Sequence, residues 1–358
     1  MDGDRSRPAP SAGGAAVPGA ATRAWRRAVE RSPWLGWVGR WGVSIWSLAL
    51  GCLVLFGFRR GLPHVGWIIG YLLLLWLLWL WLTMARAPLE RRRARLVLSA
   101  TEYAIQTLYH TLLLFVLPAY WASATLTSPN ALFVAGVAGG ALVTAVDPWY
   151  RRLVHPRPWL NHLLFGFAIF AALNVALPLV RVQPILALLA SAALAVLALT
   201  PEIRRRGGRS WRWAGLLAVG FAGLAVALVW HGRALVPPAP LFVSRAVVAR
   251  AVADLEPVEA VPGGALAAAS VADWGGLTAF TAVHAPSGLQ QPIQHVWRKD
   301  GAEIARVALS PVRGGRPGGF RTWSRRRDLQ PPYEGRYTVD VVTASGQLIG
   351  RLHFTVTP

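Results

Sequence analysis

Glu102, Gln106 and His110 recur at four-residue spacing inside one of the most apolar stretches of the chain, with Tyr109 beside them. That spacing puts all three on one face of an α-helix. An ionisable group inside a membrane-crossing helix costs about 2.5–3.5 kcal/mol on insertion scales, so such groups turn to the bundle interior and take partners. Glu102 lies beyond Arg95 by about 10 Å of helix rise. Asp147 ends a later apolar stretch that returns to the same side. This predicts the two carboxylates at one depth, near His155, Asn161 and His162. A proton relay, a cation site and a lipid-headgroup pocket are the chemistries such a cluster supports. Interhelical hydrogen bonding, with Asp147 paired to Arg151 or Arg152, is the structural alternative.

A second constellation lies far down the chain. His295, Trp297, Arg321, Trp323 and Arg325 form a basic and aromatic set, extended by Arg326 and Arg327. Such a surface suits an anionic lipid, an acidic glycan or an acidic envelope protein. The alternative is that Trp297 and Trp323 are core residues and the arginines a solvated hairpin face.

Other chemical signatures fail. There is no Gly-rich phosphate loop followed by Lys and Ser/Thr, no His-Glu-x-x-His and no Gly-x-Ser-x-Gly. Cys52 is the single cysteine, which excludes an intrachain disulfide and a Cys-based zinc or iron–sulfur site. No metal, no cofactor and no enzymatic activity are expected.

The elements that position these groups follow from composition. Of 358 residues, 54% are hydrophobic and 15% charged, against about 25% charged in an ordinary soluble domain. Lys and Arg number 37 against 16 Asp and Glu, a net charge of +21. In so apolar a chain this excess marks membrane topology rather than a nucleic-acid surface. Residues 1–40 read as a disordered, basic cytoplasmic segment without a cleavable signal peptide. Within it, 23–40 is either an interfacial amphipathic helix or a solvated approach to the first span. Seven stretches then approach the roughly 20 apolar residues a spanning helix needs. They are 41–58, 63–85, 96–121, 131–146, 159–180, 182–200 and 213–230. The fifth and sixth part only at a tight hairpin holding Arg181 and Pro184.

Arginine sets the orientation, because it resists translocation. The N-terminal segment and the connections at 86–95, 151–157 and 204–212 carry 20 arginines, whereas the alternate connections carry 3. Seven spans with the N-terminus inside reproduce that alternation, so the C-terminal region is expected outside the cytoplasm. A proline-rich linker, 233–243, leads to 244–358, which reads as short strands with turn signals. Asp300-Gly301 and Ser345-Gly346 mark two hairpins. The fold class is therefore a membrane all-α bundle of seven transmembrane helices. An all-β, antiparallel, immunoglobulin-like sandwich follows it.

One ordered series in that region is specific. Phe280-Thr281, Ile293 to Trp297, Ala305-Arg306-Val307, Arg321 to Ser324, Gly335 to Val339 and Phe354-Thr355-Val356 follow one another. The series resembles a bacterial domain of unknown function that reads as a small β-sandwich attached to membrane segments. The resemblance covers about 246–357, with Tyr337 standing where tryptophan is expected. The apolar half is similar to the uncharacterised bacterial multi-span region that carries this domain. The resemblance implies a bacterial source and supplies no reaction, substrate or site residue. An inner-membrane protein with a periplasmic binding or interaction module is the expected function. The alternative is a transporter or lipid-handling protein that uses the polar residues of its third span. The expected partners are the lipid bilayer and an envelope protein, glycan or anionic lipid at the sandwich. Nucleic acid is not among them.

Overall fold

The structure, a computed structural model, describes residues 65–91, 95–208, 210–261 and 263–358. The basic segment 1–40 and the first expected span, 41–58, lie outside the described residues. Among the described residues eight helices come first: α1 (Val65–Arg91), α2 (Arg95–Ser123), α3 (Ala131–Ala145), α4 (Asp147–Leu153), α5 (Pro158–Leu179), α6 (Pro184–Leu197), α7 (Thr200–Gly207) and α8 (Trp211–His231). Proline opens the first turn of α4, α5, α6 and α7, where its missing N–H is one the helix would leave unused anyway.

Four segments among the described residues are long and apolar enough to cross a membrane: Gly66–Arg86, Pro158–Leu179, Pro184–Gly207 and Trp211–His231. A fifth arises if α3 and α4 count as one span, although they meet at 103°. Two of the expected spans therefore read differently. Helix α2 has the length, at 29 residues, yet it falls short in hydropathy because polar groups interrupt its first half. The stretch 131–146 breaks at Val146, whose backbone is extended. Pro148 explains the break: it lacks the N–H that would reach the Thr144 carbonyl in an unbroken helix. Gln106 fills that vacancy by donating Nε2 to the Thr144 oxygen at 3.0 Å. The hairpin at Arg181 and Pro184 does separate two crossing segments. Arg181 takes the left-handed conformation there, φ 71°.

Helix α2 forms the axis of the bundle. Ile105, Tyr109, Leu112, Leu113, Val116 and Tyr120 are all buried on it. Tyr120 donates to the Ala171 carbonyl at 2.8 Å and accepts from Asn174 at 3.1 Å, so a buried polar pair fixes α2 against α5. Helix α8 instead turns Leu216, Val219, Phe221, Leu224 and Leu228 outward. So broad an apolar surface fits a lipid environment and would be a liability in water.

The strands follow: β1 (Phe242–Ala249), β2 (Ala251–Ala253), β3 (Glu256–Val258), β4 (Gly264–Ala267), β5 (Leu277–His284), β6 (Gln290–Gln291), β7 (Ile293–Lys299), β8 (Ala302–Ala308), β9 (Val312–Arg313), β10 (Phe320–Arg326), β11 (Gly335–Thr343) and β12 (Leu348–Thr357). A three-stranded sheet, β1-β5-β10, faces a five-stranded sheet, β4-β12-β11-β7-β8. Leu277 and Ala279 of the first share a core with Trp297, Tyr337, Val339, Leu352 and Phe354 of the second. Both expected hairpins form, β7–β8 around Asp300-Gly301 and β11–β12 around Gly346. Positive φ at Asp300 and Gly301, 49° and 88°, matches the mirror-image turn that suits the strand twist. The expectation of a wholly antiparallel region is corrected at one edge, because β4 pairs with β12 in parallel. A short helix, α9 (Ala268–Trp274), follows β4 where no helical period was read.

The two regions touch at one end of the bundle. Residues 236–241, within the expected linker, are buried. Arg233 donates Nε to the Ser345 carbonyl at 2.7 Å, and Gln347 Nε2 reaches the Val236 carbonyl at 3.3 Å. Any Cβ on Gly288 would run into the Arg181 guanidinium, so the β5–β6 turn rests on the α5–α6 hairpin. Glu102 stands near the start of α2 and Ser123 at its end. At about 1.5 Å per residue, most of the helix length therefore separates Glu102 from the β region.

Candidate functional site

At the arginine-rich end, α1, α2, the α4–α5 connection, α5 and α7 enclose a cavity of about 480 Å³. Its aliphatic and aromatic wall is Trp79, Leu82 and Ile105. Trp79 is held by stacking on Phe165, with ring centroids 4.4 Å apart, and meets His162 edge-on.

The polar wall is built around two carboxylates. Glu202, in the first turn of α7, has a side chain only 6% exposed. Its Oε1 accepts from Arg205 Nη2 at 2.5 Å and Arg206 Nε at 2.7 Å, and its Oε2 from Arg205 Nε at 2.7 Å. His162 Nε2 stands 3.2 Å from Oε1. The local sequence makes this possible: arginines at i+3 and i+4 on a helix lie beside the carboxylate at i. Glu102 is 29% exposed and more loosely held, with Arg86 at 3.4 Å and His155 at 3.8 Å. Asn161, which lines the cavity with Tyr150, accepts at Oδ1 from the buried Tyr109 at 3.3 Å and from Tyr150 at 3.4 Å. The site thus gathers guanidinium, imidazole, hydroxyl and carboxylate groups beside an apolar wall.

The structure divides the sequence-derived cluster. Glu102 lines the cavity with His155, Asn161 and His162. Gln106 bonds the helix break, and His110 is buried at 1% exposure. Asp147 stands in the first turn of its own short helix, paired with Arg151 at 2.9 Å, and does not line the cavity with Glu102. The helix turn at Val146 carries it away. Glu202, Arg86, Arg205 and Arg206 were legible only as orientation markers or not at all. One signal was available, since Glu202 is the sole carboxylate between Asp147 and Asp254. Among the described residues, no group of three or more His, Cys, Asp or Glu could hold a metal ion.

The basic and aromatic set of the β region is also divided. His295 and Trp297 are fully buried, whereas Arg321, Trp323 and Arg325 point outward from β10. The expected patch of five is corrected to three exposed residues, because His295 and Trp297 of β7 turn to the opposing sheet while 321, 323 and 325 take the outward side of β10. Arg321 pairs with Glu256 at 2.8 Å, and Arg325 donates to the Trp274 carbonyl at 3.0 Å. Inside, His295 joins the two sheets, with Nε2 3.0 Å from Thr281 Oγ1 and Nδ1 2.8 Å from Ser324 Oγ. Trp297 Nε1 donates to the same Ser324 oxygen at 2.9 Å. Burial holds His295 down to about 4, which fits a neutral ring with one donor and one acceptor nitrogen. Ser324→Ala strands two buried ring nitrogens and is expected to cost about 1–3 kcal/mol, read as a lower denaturant midpoint. An unchanged midpoint would show that the network is idle.

These features define a helical protein with several segments able to cross a membrane, a polar cavity at one end of its bundle and a two-sheet β region at the other. The chain belongs to the family of unknown function DUF5924, whose model matches residues 23–275. Residues 290–356 match a second model, described as protein of unknown function DUF2914. Two regions of unknown function thus match most of the chain, although the second match begins at 290 rather than near 246, where the resemblance begins. The first match continues through β1–β4 and α9, so each of the facing sheets draws strands from it. No curated protein matches the chain.

Proposed function

We propose that the bundle, rather than the β region, holds the ligand site, and that the ligand is anionic. In this reading the chain is a lipid-handling protein or transporter of the bacterial inner membrane. The arginine-rich end and the N-terminus face the cytoplasm, and the β region is an immunoglobulin-like sandwich in the periplasm. Segment 41–58 and helix α2 would complete seven spans. One observation carries the proposal: Arg86, His155, His162, Arg205 and Arg206 converge from four elements on one cavity with an apolar wall. The arginines of 204–206 and the adjoining loops add to the positive field there.

The test is ligand-dependent stability of the full chain in detergent. An anionic amphiphile at about 100 times its dissociation constant should stabilise the fold by about 2.7 kcal/mol. A zwitterionic amphiphile of the same chain length should not, and Arg86→Ala should lose the response. Equal stabilisation by both amphiphiles would sink the proposal. Alkaline phosphatase fused after Pro358 should be active if the β region is periplasmic.

A second reading keeps the β region as a docking module through Arg321, Trp323 and Arg325. Trp323, 40% exposed between the two arginines, favours it. Crosslinking from position 323 to an envelope component, lost on Arg321→Ala, would support that reading.

A further inference from the structure

The two carboxylates of the cavity are held in unlike ways. Glu202 is almost fully covered and takes three guanidinium contacts of 2.5–2.7 Å. It fixes Arg205 and Arg206, whose side chains stay about half exposed, at 47% and 49%. Glu102 is more open, and its contacts at 3.4 and 3.8 Å exceed the roughly 2.7–2.9 Å of a charge-assisted hydrogen bond. It is a weakly seated anion in a place walled by cations from other helices.

Resting on the reading of this cavity as an anion site, we infer that it takes a phosphate group, lipid-borne or soluble, and that Glu102 occupies the phosphate's place until displaced. The chemistry favours phosphate over a carboxylate ligand. The cations come from separate elements, and a phosphate presents several charged oxygens in different directions, whereas a carboxylate presents two in one plane. Guanidinium forks match those oxygens in pairs. The cavity, about 480 Å³, falls within the range of small-ligand sites, about 300–1,000 Å³. Trp79, Leu82 and Ile105 offer the non-phosphate part an apolar wall. Glu102 then acts as a built-in competitor, which sets the direction of its mutant effect.

The experiment measures dissociation constants of the purified full chain in micelles by thermophoresis. The probes are dihexanoyl phosphatidic acid, inorganic phosphate and citrate. Phosphatidic acid is expected to bind. Glu102→Gln removes the competing charge and is expected to tighten binding about tenfold. Arg86→Ala is expected to weaken it by a similar factor. Glu102→Asp keeps the charge but shortens its reach, and is expected to fall between wild type and Glu102→Gln. It serves if the Gln variant does not fold. Binding of phosphatidic acid alone identifies a lipid-borne phosphate, and equal binding of inorganic phosphate a soluble one; either supports the inference. Weaker or unchanged binding in both Glu102 variants overturns it. Citrate binding without phosphate binding leaves the anion site standing and removes the phosphate. Failure of all three probes removes both.

Discussion

Asp340→Ala is expected to destabilise the β region by about 3–5 kcal/mol, the cost of breaking a buried ion pair from one side. Asp340 is 3% exposed on the outer face of the five-stranded sheet. Arg298 of β7 and Arg351 of β12 close on it from either side, and Arg351 Nη2 meets Oδ2 at 2.9 Å. The three residues span three adjacent strands, since Asp340 of β11 stands opposite Arg351 and two residues from Arg298's partner Thr338, on the same face. Removing the carboxylate leaves two partly covered guanidinium groups, 29% and 22% exposed, facing each other with only the looser Glu303, 3.9 Å from Arg298, as counter-ion. The temperature at which 335–357 becomes open to protease should fall by about 10 °C or more. Arg298→Ala should cost less, because Arg351 keeps the carboxylate paired. In the Asp340→Ala background, Arg351→Ala should recover part of the loss, since it removes the repulsion. A cleavage temperature for Asp340→Ala equal to wild type would show the triad to be inert.

Lowering the pH should weaken the same region through His295. His295 sits at about 4 in the folded chain because burial disfavours its charged form, against about 6.5 when unfolded. Above pH 6.5 both states are neutral and stability is complete. Between 6.5 and about 4 the unfolded chain binds the proton and the folded chain does not, so stability is lost as pH falls. One group with this shift contributes about 3 kcal/mol across that window. Burial lowers His284 and His353 as well, so they act in the same direction. Unfolding of the full chain at a series of pH values should show the slope, and His295→Gln should flatten it whatever its effect on absolute stability. An unaltered slope in that variant would assign the pH dependence elsewhere.

Local signals carried much of the architecture. Asp300-Gly301 specified its hairpin because a two-residue turn of that twist needs positive φ at both positions. The greasy runs after Val65, Pro158, Pro184 and Trp211 announced themselves because a bilayer demands length and hydropathy within one segment. Arg181 and Pro184 marked a real hairpin. Pro148 was also visible, yet its meaning depended on Gln106, 42 positions earlier, taking over the orphaned Thr144 carbonyl. The parallel pairing of β4 with β12 joins residues about ninety positions apart, with no turn between them to reveal it.

Composition and periodicity alone disclosed an apolar helical region followed by a β region, four of the crossing segments and the helix face shared by Glu102, Gln106 and His110. These depend on periodicity and composition, which act within a few residues. The outcome for each polar group was settled by packing. It took Asp147 away from Glu102, brought Glu202 and its arginines to the cavity, and sank His295 and Trp297 between two sheets. Alternation shows that 321, 323 and 325 share one side of a strand and 295 and 297 one side of another. Which side meets the core is a property of the opposing sheet, and it exists only once the chain has packed.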